Sequence, residues 1–185
     1  YGLEDEMDPI VSLKDITILQ QELDRKKLKE MDADLVRDTE TYEVQNYAEL
    51  ELPFDRKEMI RQFISYSVGC MLGRYSLDKP GLILANQGET LEDYLEKVPL
   101  PSFFPDDDNI IPVLGNEWFT DDIVGRFKEF LKVSFGKNHY EENLRFVEDA
   151  IGKDIRKYFI SEFYNDHVKR YKKRPIYWMF SSPKK

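Results

Sequence analysis

The run from Phe63 to Gly88, FISYSVGCMLGRYSLDKPGLILANQG, constrains the fold most, because glycines and ring residues interrupt an apolar helix where an ordinary core helix carries Leu or Ala. Asp55 opens that helix. Met59, Ile60, Phe63, Ile64, Val68, Met71 and Leu72 then recur three or four residues apart, which lays a broad apolar stripe along one side. The stripe predicts a helix ending near Tyr75. Gly69 and Gly73 fall four apart on it, so one line of its surface lacks side chains and another backbone can approach closely. Each Gly costs about 1 kcal/mol relative to Ala in a helix interior, and a tight helix crossing is the expected compensation.

The same periodicity recurs along the chain. Asp15 to Leu35, with Asp15 as N-cap, carries Ile16, Leu19, Leu23, Leu28, Met31 and Leu35 at approximate helical spacing. Asp38 to Pro53 sustains no period and reads as irregular linker or a short strand. After Pro80 and Gly81, LILA reads as a short strand or a buried loop; Thr90 then caps a brief helix with Leu91, Tyr94 and Leu95 on one face, and Pro99 stops it. Three prolines with Asp106, Asp107, Asp108 and Asn109 make Leu100 to Pro112 a long loop, which Phe103, Phe104, Ile110 and Ile111 are expected to pin by burial. Thr120 or Asp121 is the expected cap of the next helix, with Ile123, Val124, Phe127, Phe130, Leu131 and Val133 inward and Gly136 closing it in a left-handed turn. A second helix, from Tyr140 to Ile151, faces Leu144, Val147 and Ile151 inward and ends at Gly152. A third, from Asp154 to about Tyr171, buries Ile155, Tyr158, Phe159, Phe163 and Val168. Ile176 to Phe180 alternates like a strand or an extended tail.

The predicted fold is therefore mainly α: an irregular multi-helix domain with long loops and room for one or two short strands. Residues 1–54 read as an N-terminal arm and helix packing on the core, 55–174 as the helical core domain, and 175–185 as the truncated start of a following element.

At 185 residues the chain is long enough for one domain with a genuine core. Aromatics at 14% supply large rings to that core, and charged residues at 34% supply its solvated faces. Cys70 has no partner in the chain, which excludes a disulfide scaffold. It lies in an apolar helix with neither His139 nor His167 beside it in sequence, and reads as a small buried hydrophobe rather than a nucleophile. No stretch approaches the ~20 apolar residues a membrane helix needs, and no charged-then-apolar leader opens the sequence; a reducing cytoplasm is the expected setting. The net charge of −9 hides an asymmetry, since residues 1–168 sum to −16 while residues 169–185 carry +7 with no acid.

Three places invite chemistry. Asp106, Asp107 and Asp108 offer hard carboxylate oxygens to a divalent cation, but consecutive loop residues rarely converge unaided, so no metal site is assigned. His139 and His167 with one Cys are too few for a zinc tetrahedron, and His167 beside Asp166 and Glu162 is a weak general-base pattern on a charged helix. The segment KRYKKRPIYWMFSS is the best candidate for direct function. Lys169, Arg170, Lys172, Lys173 and Arg174 can meet phosphates, with Tyr177 and Trp178 placed to stack on a base or sugar. No catalytic or cofactor-binding residue is identified.

Four blocks carry a resemblance: YGLEDE at Tyr1 to Glu6, the run from Phe63 to Gly88, WFTDDIVGRFKEF at Trp118 to Phe130, and KRPIYWMFSS at Lys173 to Ser182. In order and spacing they resemble the portion of BREX adenine-specific DNA methyltransferases, the PglX family, that lies downstream of the catalytic domain. SSPKK departs from the family, in which many members carry a Gly near this place. The family's Asn-Pro-Pro-Tyr motif and its Gly-rich loop for S-adenosylmethionine are absent from this sequence. The resemblance implies a helical part of such an enzyme, inactive alone, that scaffolds the catalytic domain and helps position double-stranded DNA. S-adenosylmethionine would be the cofactor of the parent enzyme, and other BREX proteins are further expected partners. A protein–protein interaction module of the defence complex and part of a fused restriction-modification enzyme are the alternatives. Tyr at position 1 and the ending SSPKK read as boundaries within a longer polypeptide.

Overall fold

The computed structural model describes residues 22–30, 53–119 and 121–170. The chain divides into two compact units, one up to Met59 and one from Ile60. In the first, residues 25–30 are helical, and Asp24 Oδ1 accepts hydrogen bonds from the Lys26 and Lys27 N–H groups at 3.1 and 3.2 Å. This helix therefore starts after Asp24 rather than running through it; the predicted cap at Asp15 lies outside the described residues. Leu23 pairs with Phe54 in an isolated antiparallel bridge, with the Asp24 N–H donating to the Pro53 carbonyl at 2.7 Å.

Helix α1, Arg56–Met71, begins where Asp55 Oδ1 accepts from the Glu58 N–H at 3.0 Å. It stops short of Tyr75 because Gly73 leaves the helix at φ +67. The Gly73 N–H donates to the Cys70 carbonyl at 3.1 Å and the Arg74 N–H to the Gly69 carbonyl at 2.8 Å, the paired bonds of a Schellman ending. The expected helix crossing at Gly69 and Gly73 is thus replaced by a local fold-back: a Cβ on Gly69 would lie 2.5 Å from Cδ2 of Tyr75. Tyr75 lies over the bare stripe, its ring 5.4 Å from that of Tyr66.

The LILA segment is a loop, not a strand, and only its middle pair is buried, with Leu82 and Ala85 exposed. Ile83 and Leu84 point inward and join Tyr94 and Val98 in a small satellite core. Helix α2, Leu91–Lys97, starts as predicted at Thr90, whose N–H donates to Asp93 Oδ2 at 2.7 Å. The next loop is pinned by fewer anchors than the sequence implied: Phe103 is buried and Ile111 partly so, whereas Phe104 and Ile110 are exposed. Pro101, Phe103 and Pro105 are buried while Ser102 and Phe104 are not, the two-residue alternation of an extended strap.

Helix α3, Ile123–Phe135, is capped by Asp122, whose Oδ1 accepts from the Gly125 N–H at 2.8 Å. Of the two predicted caps, Asp121 is exposed and Thr120 lies outside the described residues. Val133 is 38% exposed rather than inward, and Gly136 takes φ 87 with ψ 149, an extended rather than left-handed helical exit. A 3₁₀ turn, Lys137–His139, leads into α4, Tyr140–Ile151, which Gly152 closes at φ 73 and ψ 26. Asp154 caps α5, Ile155–Tyr158; a π turn, Phe159–Phe163, follows, and α6, Tyr164–Arg170, completes this helical run.

The π turn explains one misplaced burial. It holds more residues per turn than an α-helix, so side chains four apart, namely Ile155, Phe159, Phe163 and His167, keep facing the core instead of drifting around the helix. His167 is buried in place of Val168, which is only half-buried. Rings from separate elements meet in this core: Phe63 lies 6.2 Å from Phe127 and 5.7 Å from Phe130, Phe103 5.3 Å from Phe130, and Phe127 5.9 Å from Phe159. Such pairs add about 0.5–1.5 kcal/mol each beyond their burial. The described residues are mainly helical, as the periodicity required.

Candidate nucleic-acid interface

The basic cluster begins on the last turn of α6. Lys169 is exposed and Arg170 half-buried there, where positive charge complements the helix dipole. Lys172, Lys173, Arg174, Tyr177 and Trp178 lie outside the described residues.

What holds α6 in place is an ion-pair network the sequence did not reveal. Arg61 of α1 reaches Asp166 at 3.0 Å and Glu162 at 3.3 Å. Lys153 pairs with the other oxygen of Glu162, and the Tyr158 hydroxyl donates to Asp166 at 2.9 Å. Burial, then the Asp166 charge, raises the Tyr158 pKa and keeps the phenol protonated. Both acids suggested as helpers of His167 are therefore engaged by Arg61. His167 stacks on Phe163 at 6.1 Å, and burial followed by the Arg170 charge lowers its pKa to about 4. A neutral, core-facing imidazole of so low a pKa is a poor general base at neutral pH.

The three aspartates converge after all: their ligating oxygens lie within 4.8 Å of one another. A backbone amide gathers two of them, since the Ile110 N–H donates to both Asp106 Oδ2 at 3.0 Å and Asp108 Oδ1 at 2.8 Å. Burial of Asp106, then its hydrogen bond with Asp108, raises its pKa. The Asp106 N–H in turn donates to the Met71 carbonyl at 2.7 Å, tying this turn to the open end of α1. Cys70 is buried, and that burial pushes its thiol up to about 11. It is the inert hydrophobe the sequence indicated.

Two further features escaped the sequence. Asp122 is wholly buried and pairs with Arg156, which also donates to the Leu114 carbonyl at 2.8 Å and meets Glu117 at 3.4 Å. An open cleft of about 420 Å³ is lined by Phe63, Tyr66, Phe130 and Phe135, with Asp78 and Ser134 as polar groups. Asp78 is already committed, because hydrogen bonds from the Ser102 hydroxyl and N–H hold its pKa below the usual range. Sequence separation hides these partners; Arg61 and Glu162, for example, are 101 residues apart.

No protein-family model matches the chain. It is 41% identical over 143 residues to the adenine-specific methyltransferase BrxX of Escherichia coli O9:H4 (strain HS), covering 70% of this chain and 12% of the relative. It is 35% identical over 192 residues to the adenine-specific methyltransferase PglX of Lacticaseibacillus casei (strain Zhang), covering 98% of this chain and 13% of the relative. The chain therefore matches one limited segment of each of these longer proteins.

Proposed function

Because this chain is homologous to a segment of the BREX adenine-specific methyltransferases BrxX and PglX, as its four sequence blocks indicated, we propose that it is a noncatalytic helical part of such an enzyme. In this reading it braces the catalytic domain and helps position double-stranded DNA. S-adenosylmethionine would serve the parent enzyme in the cytoplasm, supplying the methyl group for the adenine exocyclic amine. The chain's own residues contribute shape and surface.

The observation that carries the reading is the reach of the homology, which extends over 98% of this chain yet touches only 13% of the PglX relative. Two features support a DNA-facing role: the +7 charge of residues 169–185 in an otherwise acidic sequence, and the Arg61 anchor that fixes α6, on which the basic run begins. Among the described residues no helix is long and apolar enough to cross a membrane.

Two measurements test it. The 185-residue chain alone should transfer no methyl group to duplex DNA, and turnover by it refutes the noncatalytic assignment. In the intact methyltransferase, duplex affinity should fall steeply with salt. Neutralising Lys169, Arg170, Lys172, Lys173 and Arg174 should flatten that dependence by roughly 0.9 in log–log slope for each phosphate no longer neutralised. An unchanged slope removes DNA positioning and favours an interaction module that binds no DNA.

A further inference from the structure

The loop between α2 and α3 holds large apolar side chains in water. Trp118 is 76% exposed, Ile110 69%, Phe119 58% and Phe104 57%, with Val113 also at the surface. This loop is anchored at its backbone. The Phe104 carbonyl accepts from Arg126 at 2.6 Å, the Pro112 carbonyl from the Ile123 N–H at 2.9 Å, the Leu114 carbonyl from Arg156 at 2.8 Å and the Phe119 carbonyl from the Asp122 N–H at 3.5 Å. Three of these donors belong to the start of α3 or its cap and the fourth to α5, so the outward rings are presented from a pinned backbone. Asp107, Asp108 and Asp121, all exposed, belong to the same stretch. An apolar loop edged by carboxylates repels a polyanion, which disfavours DNA as its occupant.

The size of the patch narrows the choice further. The three aromatic rings together offer on the order of 400 Å² at these exposures, within the size range of surface patches that serve interactions. A free-standing complex needs about 800 Å² from each partner. A segment of the same polypeptide needs less, because its tether gives an effective concentration in the millimolar range. The relatives supply such a segment, since the match takes up only 12–13% of their length.

We infer that loop 104–119 is a docking face that seats against another segment of the same, longer methyltransferase polypeptide, one with an apolar surface and a basic rim. This rests on the reading that the chain is part of such an enzyme. Hydroxyl-radical footprinting of the intact methyltransferase, native against unfolded, reads it directly: docking lowers labelling of Trp118 and Phe119 roughly tenfold, as interior-density packing excludes solvent. Native labelling close to the unfolded level overturns the inference. Protection that appears only on adding duplex assigns the face to DNA, and protection that vanishes on dilution assigns it to a second copy; either result also overturns it.

The double variant Trp118→Asp, Phe119→Asp, made at exposed positions, should leave the fold intact, raise the rate of proteolysis at this loop roughly tenfold, and leave the salt slope of duplex affinity unchanged. Unaltered proteolysis counts against the docking face. If neutralising the 169–174 cations proves harmless while Trp118 stays protected, DNA positioning fails and the docking face stands.

Discussion

Asp122 holds two jobs in one buried carboxylate, and removing it separates their energies. One oxygen accepts from the Gly125 N–H and caps α3; the other pairs with Arg156. Loss of the cap costs about 1 kcal/mol. Breaking a buried ion pair costs about 3–5 kcal/mol when one charge is stranded. Arg156 is 15% exposed and keeps Glu117 and the Leu114 carbonyl, which reduces that second cost to about 2 kcal/mol. Asp122→Ala should therefore lose about 3 kcal/mol, a large share of a typical stability of about 5–15 kcal/mol. Asp122→Asn, which keeps the capping oxygen, should lose about 2 kcal/mol. In the double variant Asp122→Ala, Arg156→Met the loss should fall about 2 kcal/mol below the sum of the single losses, because no stranded charge remains. Urea midpoints at constant m measure wild type, Asp122→Ala, Asp122→Asn, Arg156→Met and the double variant. If Asp122→Ala costs no more than a cap, or if the single losses simply add, the buried pair is not what fixes the start of α3 against α5.

Gly69→Ala should destabilise the fold by about 1–3 kcal/mol and so lower the urea midpoint, against the usual gain for Gly→Ala in a helix, because the new Cβ would fall 2.5 and 2.8 Å from ring carbons of Tyr75; a higher midpoint refutes the fold-back. His167 has a folded-state pKa of about 4 against an ordinary 6.5, so the unfolded chain binds more protons between these values. Stability should therefore fall as pH drops from 6.5 to 4, by at most ~1.4 kcal/mol per pH unit from this one group, and comparable pH slopes in wild type and His167→Gln would contradict its burial as a neutral ring. Cys70, buried and titrating near 11, should react with iodoacetamide at about pH 8 only as fast as the protein opens; rapid labelling of the native chain would show that the thiol is accessible.

Helix ends were legible where a single residue type carries the geometry. Asp55 and Asp154 accept from first-turn amides, Thr90 starts α2 with its own N–H held by Asp93, and Gly152 takes a left-handed exit, each where the sequence placed it. The cap at Asp122 was missed by a residue or two because three candidates adjoin in Thr120, Asp121 and Asp122, and the choice depends on Arg156, 34 residues away. Val168 was misplaced because a π turn has no signature in a 3.6-residue pattern. Gly69 was read as making room for a helix, whereas the ring that fills it arrives from Tyr75, a few residues later in the same chain.

The site shows the same division between local and distant causes. A run of cations is visible in the sequence because charge adds along the chain, but whether it forms a surface depends on the element that bears it. α6 bears Lys169 and Arg170, and it is fixed by Arg61, which engages both nearby acids, Glu162 and Asp166, as structural partners. Those acids would otherwise offset the cations beyond them. An ion pair that looks merely structural thus sets the field at the start of the basic run: with Glu162 and Asp166 neutralised by Arg61 and Lys153, the positive charge of the final turn is left to act outward.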